Sequence, residues 1–82
     1  MVKYHVYILK SINVQKTYVG MTQNIERRFK EHNAGQTSST KAFTPWIILF
    51  AESFETRGEA RNKEKYLKSA AGRRWIKHHF FS

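Results

Sequence analysis

Tyr7, Tyr18, Arg28, His32 and Glu64 are the side chains of this sequence most suited to chemistry. Phenols, a guanidinium, an imidazole and one carboxylate together make up what metal-assisted phosphodiester hydrolysis requires. The guanidinium can stabilise charge developing on a phosphate. The carboxylate can hold a Mg²⁺ ion that keeps several of its waters. A phenol titrates near pH ~10, so a base role at neutral pH needs a cation or metal beside it to favour the phenolate. Arg28 and an ion on Glu64 could both do this. Each residue also has an ordinary reading: a strand tyrosine packs in a core, and a helix arginine covers apolar surface with its stem.

The elements that must position these groups can be read from pattern. Tyr4 to Ser11 and Lys16 to Met21 are rich in β-branched and aromatic residues and flank a short polar stretch, which predicts a β-hairpin. Gly20, directly after Tyr18 and Val19, would allow backbone or substrate to approach where a side chain would block it. Asn24 is placed to cap a helix from Ile25 to Asn33, ended by Gly35. On that helix Ile25, Arg28, Phe29 and His32 follow the i, i+3, i+4, i+7 rule, so Arg28 and His32 are expected at the edge of the packed face. Arg27, Lys30 and Glu31 fall towards solvent.

Gln36 to Thr44 is a Ser/Thr-rich loop closed by Pro45. Trp46 to Phe54 reads as the most buried strand, expected at the centre of the sheet with both faces covered, Trp46, Ile48 and Phe50 alternating with Ile47, Leu49 and Ala51. Thr56 and Glu59 form a capping box for a helix running to about Ser69. Gly72 is expected to separate it from a short helix over about Arg73 to His79. The order β-β-α-β-α-α predicts an α+β domain, a small three-stranded antiparallel or mixed sheet flanked by helices.

Glu64 is the sharpest signal within this frame. Ala60, Glu64, Leu67 and Ala71 share a helical stripe, so a carboxylate occupies a position suited to an apolar residue. Burying it costs several kcal/mol (about 3–5 when a partner is missing) unless a cation or donors meet it. An ion pair, most simply with Arg28, or a bound metal ion would satisfy it, unless the position is an exposed edge of the stripe. The other five acids have local explanations in caps, helix surfaces or strand ends. No second spare acid suggests a two-metal cluster, and the four histidines lack zinc-ligand spacing.

Composition narrows the class further. The 82 residues fit one domain spanning residues 1–82, with Lys and Arg numbering 15 against 6 acids and a formal charge of +9. Such a field draws in polyanions, and nucleic acid is the first expected partner. The absence of cysteine excludes a disulfide framework and fits a reducing compartment. No apolar stretch approaches the ~20 residues of a membrane span, nor does the N-terminus carry an apolar signal core. A soluble cytoplasmic protein with no membrane partner is the expectation.

In their order and spacing these residues resemble the GIY-YIG nuclease superfamily, and the likeness covers nearly the whole chain. His5-Val6-Tyr7 looks like the first motif, Tyr18-Val19-Gly20 like the second, and Arg28 with His32 like the helix motif. Ala60, Glu64, Leu67 and Lys68 look like the segment carrying the metal-binding acid. The chain most resembles short stand-alone bacterial members, related to the nuclease module of the excision-repair enzyme. His5 stands where the first motif has glycine, Val19 where the second has isoleucine, and no asparagine follows Glu64.

The resemblance implies a three-stranded antiparallel sheet flanked by helices and one Mg²⁺ or Mn²⁺ ion held by Glu64. It further implies hydrolysis of a DNA phosphodiester, directed by DNA structure or within a repair or recombination assembly. Tyr7 or Tyr18 would orient or deprotonate water, Arg28 would stabilise the phosphate, and His32 would assist in proton transfer or phosphate contact. Gly20, Arg61, Lys65 and Lys68 are the candidate substrate-binding residues. The alternative is a catalytically inactive basic domain that binds nucleic acid through Arg61, Lys65, Lys68, Arg73, Arg74 and Lys77. A protein partner or homodimer could use Trp75, Phe80 and Phe81, although packing against the sheet is the simpler use of these rings.

Overall fold

In the computed structural model, which describes residues 2–81, two adjacent strands of alternating side chains meet in the predicted hairpin. Strand β1 covers Tyr4–Ser11 and β2 covers Thr17–Thr22, followed by helix α1 over Ile25–Asn33. After a short 3₁₀ turn at Lys41–Phe43 come β3, Trp46–Phe54, and the helices α2, Arg57–Lys68, and α3, Ala70–Phe80. The sheet is antiparallel with the order β2-β1-β3, so the domain is the expected α+β arrangement.

The central strand is β1, not the Trp46–Phe54 segment. Val6 and Ile8 on one face of β1, and Leu9 on the other, are fully enclosed, whereas Ile47 and Ile48 of β3 remain 43% and 41% exposed. Strand β3 therefore lies at an edge without both faces covered. Its simple alternation also fails, because Ile8 pairs with Phe50 but Leu9 pairs with Ile48, which leaves Leu49 as an extra residue in a β-bulge. Leu49 and Phe50 consequently pack on the same side of the sheet, and Trp46 packs on the other. A continuous apolar run carries no mark of the bulge that redirects it.

Each face of β1 has its own core. Val6, Ile8 and Val19 pack with Ala60 and Leu67 of α2 and Ile76 of α3. On the opposite face, Tyr7, Leu9 and Trp46 pack with Tyr18, Ile25, Phe29 and Phe43. Two thin apolar layers thus share a single strand as their common wall.

Local chemistry sets most helix ends. The Asn24 side chain accepts from the Arg27 amide at 3.0 Å. At the other end of α1, Gly35 has φ of +76°, and the Gly35 and Gln36 amides donate to the carbonyls of His32 and Glu31, as in a Schellman motif. Thr56 accepts from the Glu59 amide at 3.2 Å, while its hydroxyl donates to the Glu59 carboxylate at 3.0 Å. The return bond of the capping box thus reaches the hydroxyl of Thr56.

Gly72 has a different use from the expected one. It lies inside α3, whose first turn is capped by Ser69 accepting from the Gly72 amide at 3.2 Å. A β-carbon there would overlap the Tyr66 carbonyl and the Leu67 backbone. The glycine lets α3 pack directly against the end of α2, so the two helices are divided at Ser69.

Candidate active site

Strand register brings the two tyrosines together. Tyr7 pairs with Gly20 and Leu9 pairs with Tyr18, so Tyr7 and Tyr18 project diagonally from the same face of neighbouring strands. Their ring centroids are 6.3 Å apart. A β-carbon on Gly20 would overlap the Tyr7 hydroxyl and the ring carbon bearing it. The close approach for which glycine is needed is therefore made by Tyr7 itself.

His32 enters from α1 and joins the pair, its ring centroid 4.9 Å from that of Tyr18 and 5.9 Å from that of Tyr7. It is fully buried, not at the edge of the packed face, and this leaves it no surface for a phosphate contact. Its Nε2 is 2.9 Å from the Tyr7 hydroxyl and its Nδ1 is 2.8 Å from the Thr40 hydroxyl.

Proton bookkeeping fixes the sense of this chain. Thr40 donates its own hydroxyl proton to the Thr37 carbonyl at 3.3 Å, so its oxygen accepts from His32 Nδ1–H. The neutral imidazole then has a lone pair on Nε2, to which the Tyr7 hydroxyl donates. Burial, followed by the Arg28 charge, pushes the His32 pKa below its ordinary value, with Glu31 opposing weakly. His32 is thus a neutral acceptor at pH ~7.

Thr40 and Asn33 had no legible role in the sequence. Asn33 accepts from the Trp46 amide at 2.6 Å and donates to the Trp46 carbonyl at 3.1 Å, while the Trp46 indole donates to the Thr40 carbonyl at 3.0 Å. These bonds tie the end of α1, the Ser/Thr loop and the start of β3 around His32. Thr40 is completely enclosed. Nothing in its local sequence distinguishes it from Thr37, Ser38 or Ser39; only the meeting of loop and helix does.

Arg28 stands at the rim, as its helix position predicts, with its side chain 33% exposed. Its guanidinium pairs with Glu31 at 3.0 Å, so Glu31 is drawn to the site instead of lying free in solvent. The Tyr7 phenol is pushed up to about 12, first by burial and then by Tyr18, against a smaller lowering by Arg28; Glu64 adds a further upward push. Tyr7 is therefore a neutral phenol between a guanidinium and an imidazole.

Glu64 lies on α2 with its side chain 13% exposed. Its ion-pair partners are Lys68 at 3.0 Å and Arg61 at 3.9 Å, both from its own helix, in place of Arg28. The stripe around it also differs from expectation: Ala60 and Leu67 are buried, but Ala71 is exposed and Gly72 takes the inward position. Lys65 is exposed nearby. No cluster of three or more His, Cys, Asp or Glu residues occurs among the described residues. The donor set fits one hydrated hard cation on a single carboxylate, with water and phosphate supplying the remaining oxygens. It does not fit a protein-enclosed transition-metal site.

The sheet face with Tyr7 and Tyr18, Arg28 on α1 and Glu64 on α2 are the positions at which the sequence resembles a nuclease catalytic domain. The chain belongs to the GIY-YIG family: residues 3–79 match the model of the GIY-YIG catalytic domain. Within it, the chain belongs with the UPF0213 proteins. It is 33% identical over 78 residues to one from Staphylococcus haemolyticus, covering 94% of each chain. Another, from the archaeon Haloquadratum walsbyi, is 36% identical over 67 residues, or 80% of this chain and 75% of the relative. The solution structure of the Bacillus halodurans UPF0213 protein superposes with a TM-score of 0.56 at 25% identity, covering 93% of this chain and 83% of that one.

Proposed function

We propose that this domain is a divalent-metal-dependent DNA endonuclease that hydrolyses phosphodiester bonds, acting on particular DNA structures or as the nuclease part of a repair or recombination assembly. The observation that carries this reading is the Tyr7 hydroxyl, hydrogen-bonded to buried His32 at 2.9 Å and within the fields of Arg28 and Glu64. Glu64 is the residue that would hold one Mg²⁺ or Mn²⁺ ion, with Lys68 and Arg61 giving way as the cation enters. When bound, that ion would neutralise phosphate charge and polarise the phosphoryl oxygen.

The remaining work belongs to the chain's own residues. The proton of Tyr7 is committed to His32, so the phenolic oxygen keeps a lone pair on the side of Arg28. Tyr7 is only 2% exposed, and an attacking water would have to reach it as Arg28 moves to the phosphate. As the water adds to phosphorus, its proton passes to Tyr7 and the Tyr7 proton to Nε2 of His32, while the phosphorus–oxygen bond to the departing strand breaks. That strand's alkoxide takes a proton from solvent water, and His32 returns its proton to solvent through Tyr7 to restore the starting state. No free phenolate is formed, in keeping with a phenol held near 12. Thr40 keeps the acceptor tautomer in place, and Arg28 exchanges Glu31 for the phosphate, where its charge stabilises the transition state. Tyr18 packs the second wall of the site, and Arg61, Lys65 and Lys68 provide phosphate contacts on α2.

The direct test is cleavage of duplex, flap, branched and single-stranded DNA with and without Mn²⁺. Glu64→Ala and Tyr7→Phe should remain folded and lose metal-dependent cleavage. Unchanged cleavage by both would overturn the assignment.

One observation favours the alternative of an inactive nucleic-acid-binding domain: Lys68 already neutralises Glu64 at 3.0 Å. Binding that persists without metal, with no cleavage of any substrate in the set, would support it.

A further inference from the structure

We infer that a groove along the free edge of β2 receives an unpaired DNA strand leading away from the candidate active site, an inference that rests on the nuclease reading for its direction. Two neighbouring cavities, of about 310 and 330 Å³, share Thr17, Arg73 and Ile76 in their walls. Each has the size of a small-ligand site, for which roughly 300 Å³ is the lower bound. The smaller is bounded by Tyr18 and Lys68. Since Lys68 is bonded to Glu64, this end comes within one side chain of the candidate metal ligand. The larger continues past Lys77 to Phe81.

The lining suits a nucleotide strand. Neither cavity has an acidic side chain in its wall, whereas Lys68, Arg73 and Lys77 supply three cations. Arg73 and Lys77 stand one helical turn apart on α3, about 5–6 Å between β-carbons, and pair with no acid among the described residues. Ile76 forms an apolar floor between them.

At the far end the half-buried Phe81 ring, packed against the core, lines the larger cavity, with the Lys10 ammonium 6.0 Å from its centroid. A cationic trench with an aromatic platform binds single strands by backbone charge and base stacking. A paired base cannot stack on Phe81 without leaving its helix, so the feature selects an unpaired strand.

The test uses a fluorescent twelve-nucleotide oligo-dT in EDTA, read by anisotropy across a salt series. Arg73→Gln with Lys77→Gln should weaken binding roughly tenfold and reduce the magnitude of the log–log salt slope by about 1.4, two single-strand phosphate contacts. Phe81→Ala should weaken it roughly five- to hundredfold through lost stacking. The control pair Lys3→Gln with Arg57→Gln removes the same charge beyond the opposite ends of the strands and should have little effect. No oligo-dT binding by the unaltered protein, or equal losses from both pairs, would overturn the groove.

Cleavage of a duplex with and without an unpaired arm, in Mn²⁺, separates this inference from the nuclease reading. Cleavage together with oligo-dT binding insensitive to Arg73, Lys77 and Phe81 would sink the groove alone. Selective loss of oligo-dT binding without any cleavage by the unaltered protein would sink the nuclease reading and leave strand binding in place.

Discussion

His32 links chemistry to stability at the level of a single residue. A depressed pKa in the folded state means that the unfolded chain takes up the proton more readily. Stability contributed by neutral His32 is therefore present above pH ~6.5 and lost as pH falls through its lower folded value. His32→Ala should flatten this acid dependence in urea titrations. It should also destabilise the domain by about 2–4 kcal/mol at pH ~7, through a cavity and unpaired hydroxyls. If the proton relay operates, the cleavage rate should decline on the same acid side, because protonated His32 cannot accept from Tyr7.

Tyr7 gives the opposite sign. Its folded phenol, pushed up to about 12 mainly by burial, stays neutral while the unfolded phenol ionises near pH ~10. The stability linked to Tyr7 is present below ~10 and lost as pH rises towards 12. Tyr7→Phe should remove that alkaline component and cost roughly 1–3 kcal/mol at neutral pH, since His32 loses its donor.

Between elements, two glycines determine how closely backbone and side chain approach. Gly20→Ala would force the Tyr7 ring off its bond to His32. Cleavage should fall at least about a hundredfold, or roughly 2.7 kcal/mol of transition-state stabilisation, while circular dichroism retains the strand signal. Gly72→Ala would drive a methyl into the backbone of α2, an overpacking cost of about 1–3 kcal/mol or more. The resulting Tm loss is roughly 4–8 °C per kcal/mol in a domain of this size. The sequence marked Gly72 as a break between helices because glycine is a poor helix former; close packing of α3 on α2 overrides that preference.

For the whole molecule, the charge of +9 predicts DNA binding that weakens steeply with salt. The log–log slope on B-DNA should change by about 0.9 for each phosphate contact. Neutralising Arg61, Lys65 and Lys68 together should lower the slope magnitude by up to about 2.7. A slope unaffected by this triple change would place the duplex footprint elsewhere. No helix among the described residues is long and apolar enough to cross a membrane.

The sequence by itself determined the elements and their order. Period-2 alternation, the Asn24 and Thr56 caps and the glycine after α1 are local signals, governed by neighbours a few residues away. It also determined which residues were candidates for the site, because the motif spacings lie along the chain. Tertiary structure alone decided that β1 is central, because strand order depends on which surfaces meet and β1 has apolar residues for both faces. It alone buried His32, where β1, α1 and the Thr40 loop converge, and paired Glu64 with Lys68 instead of Arg28. A hydrogen-bond chain from Tyr7 through His32 to Thr40 joins residues with no common period, so only the packed fold could bring them into contact.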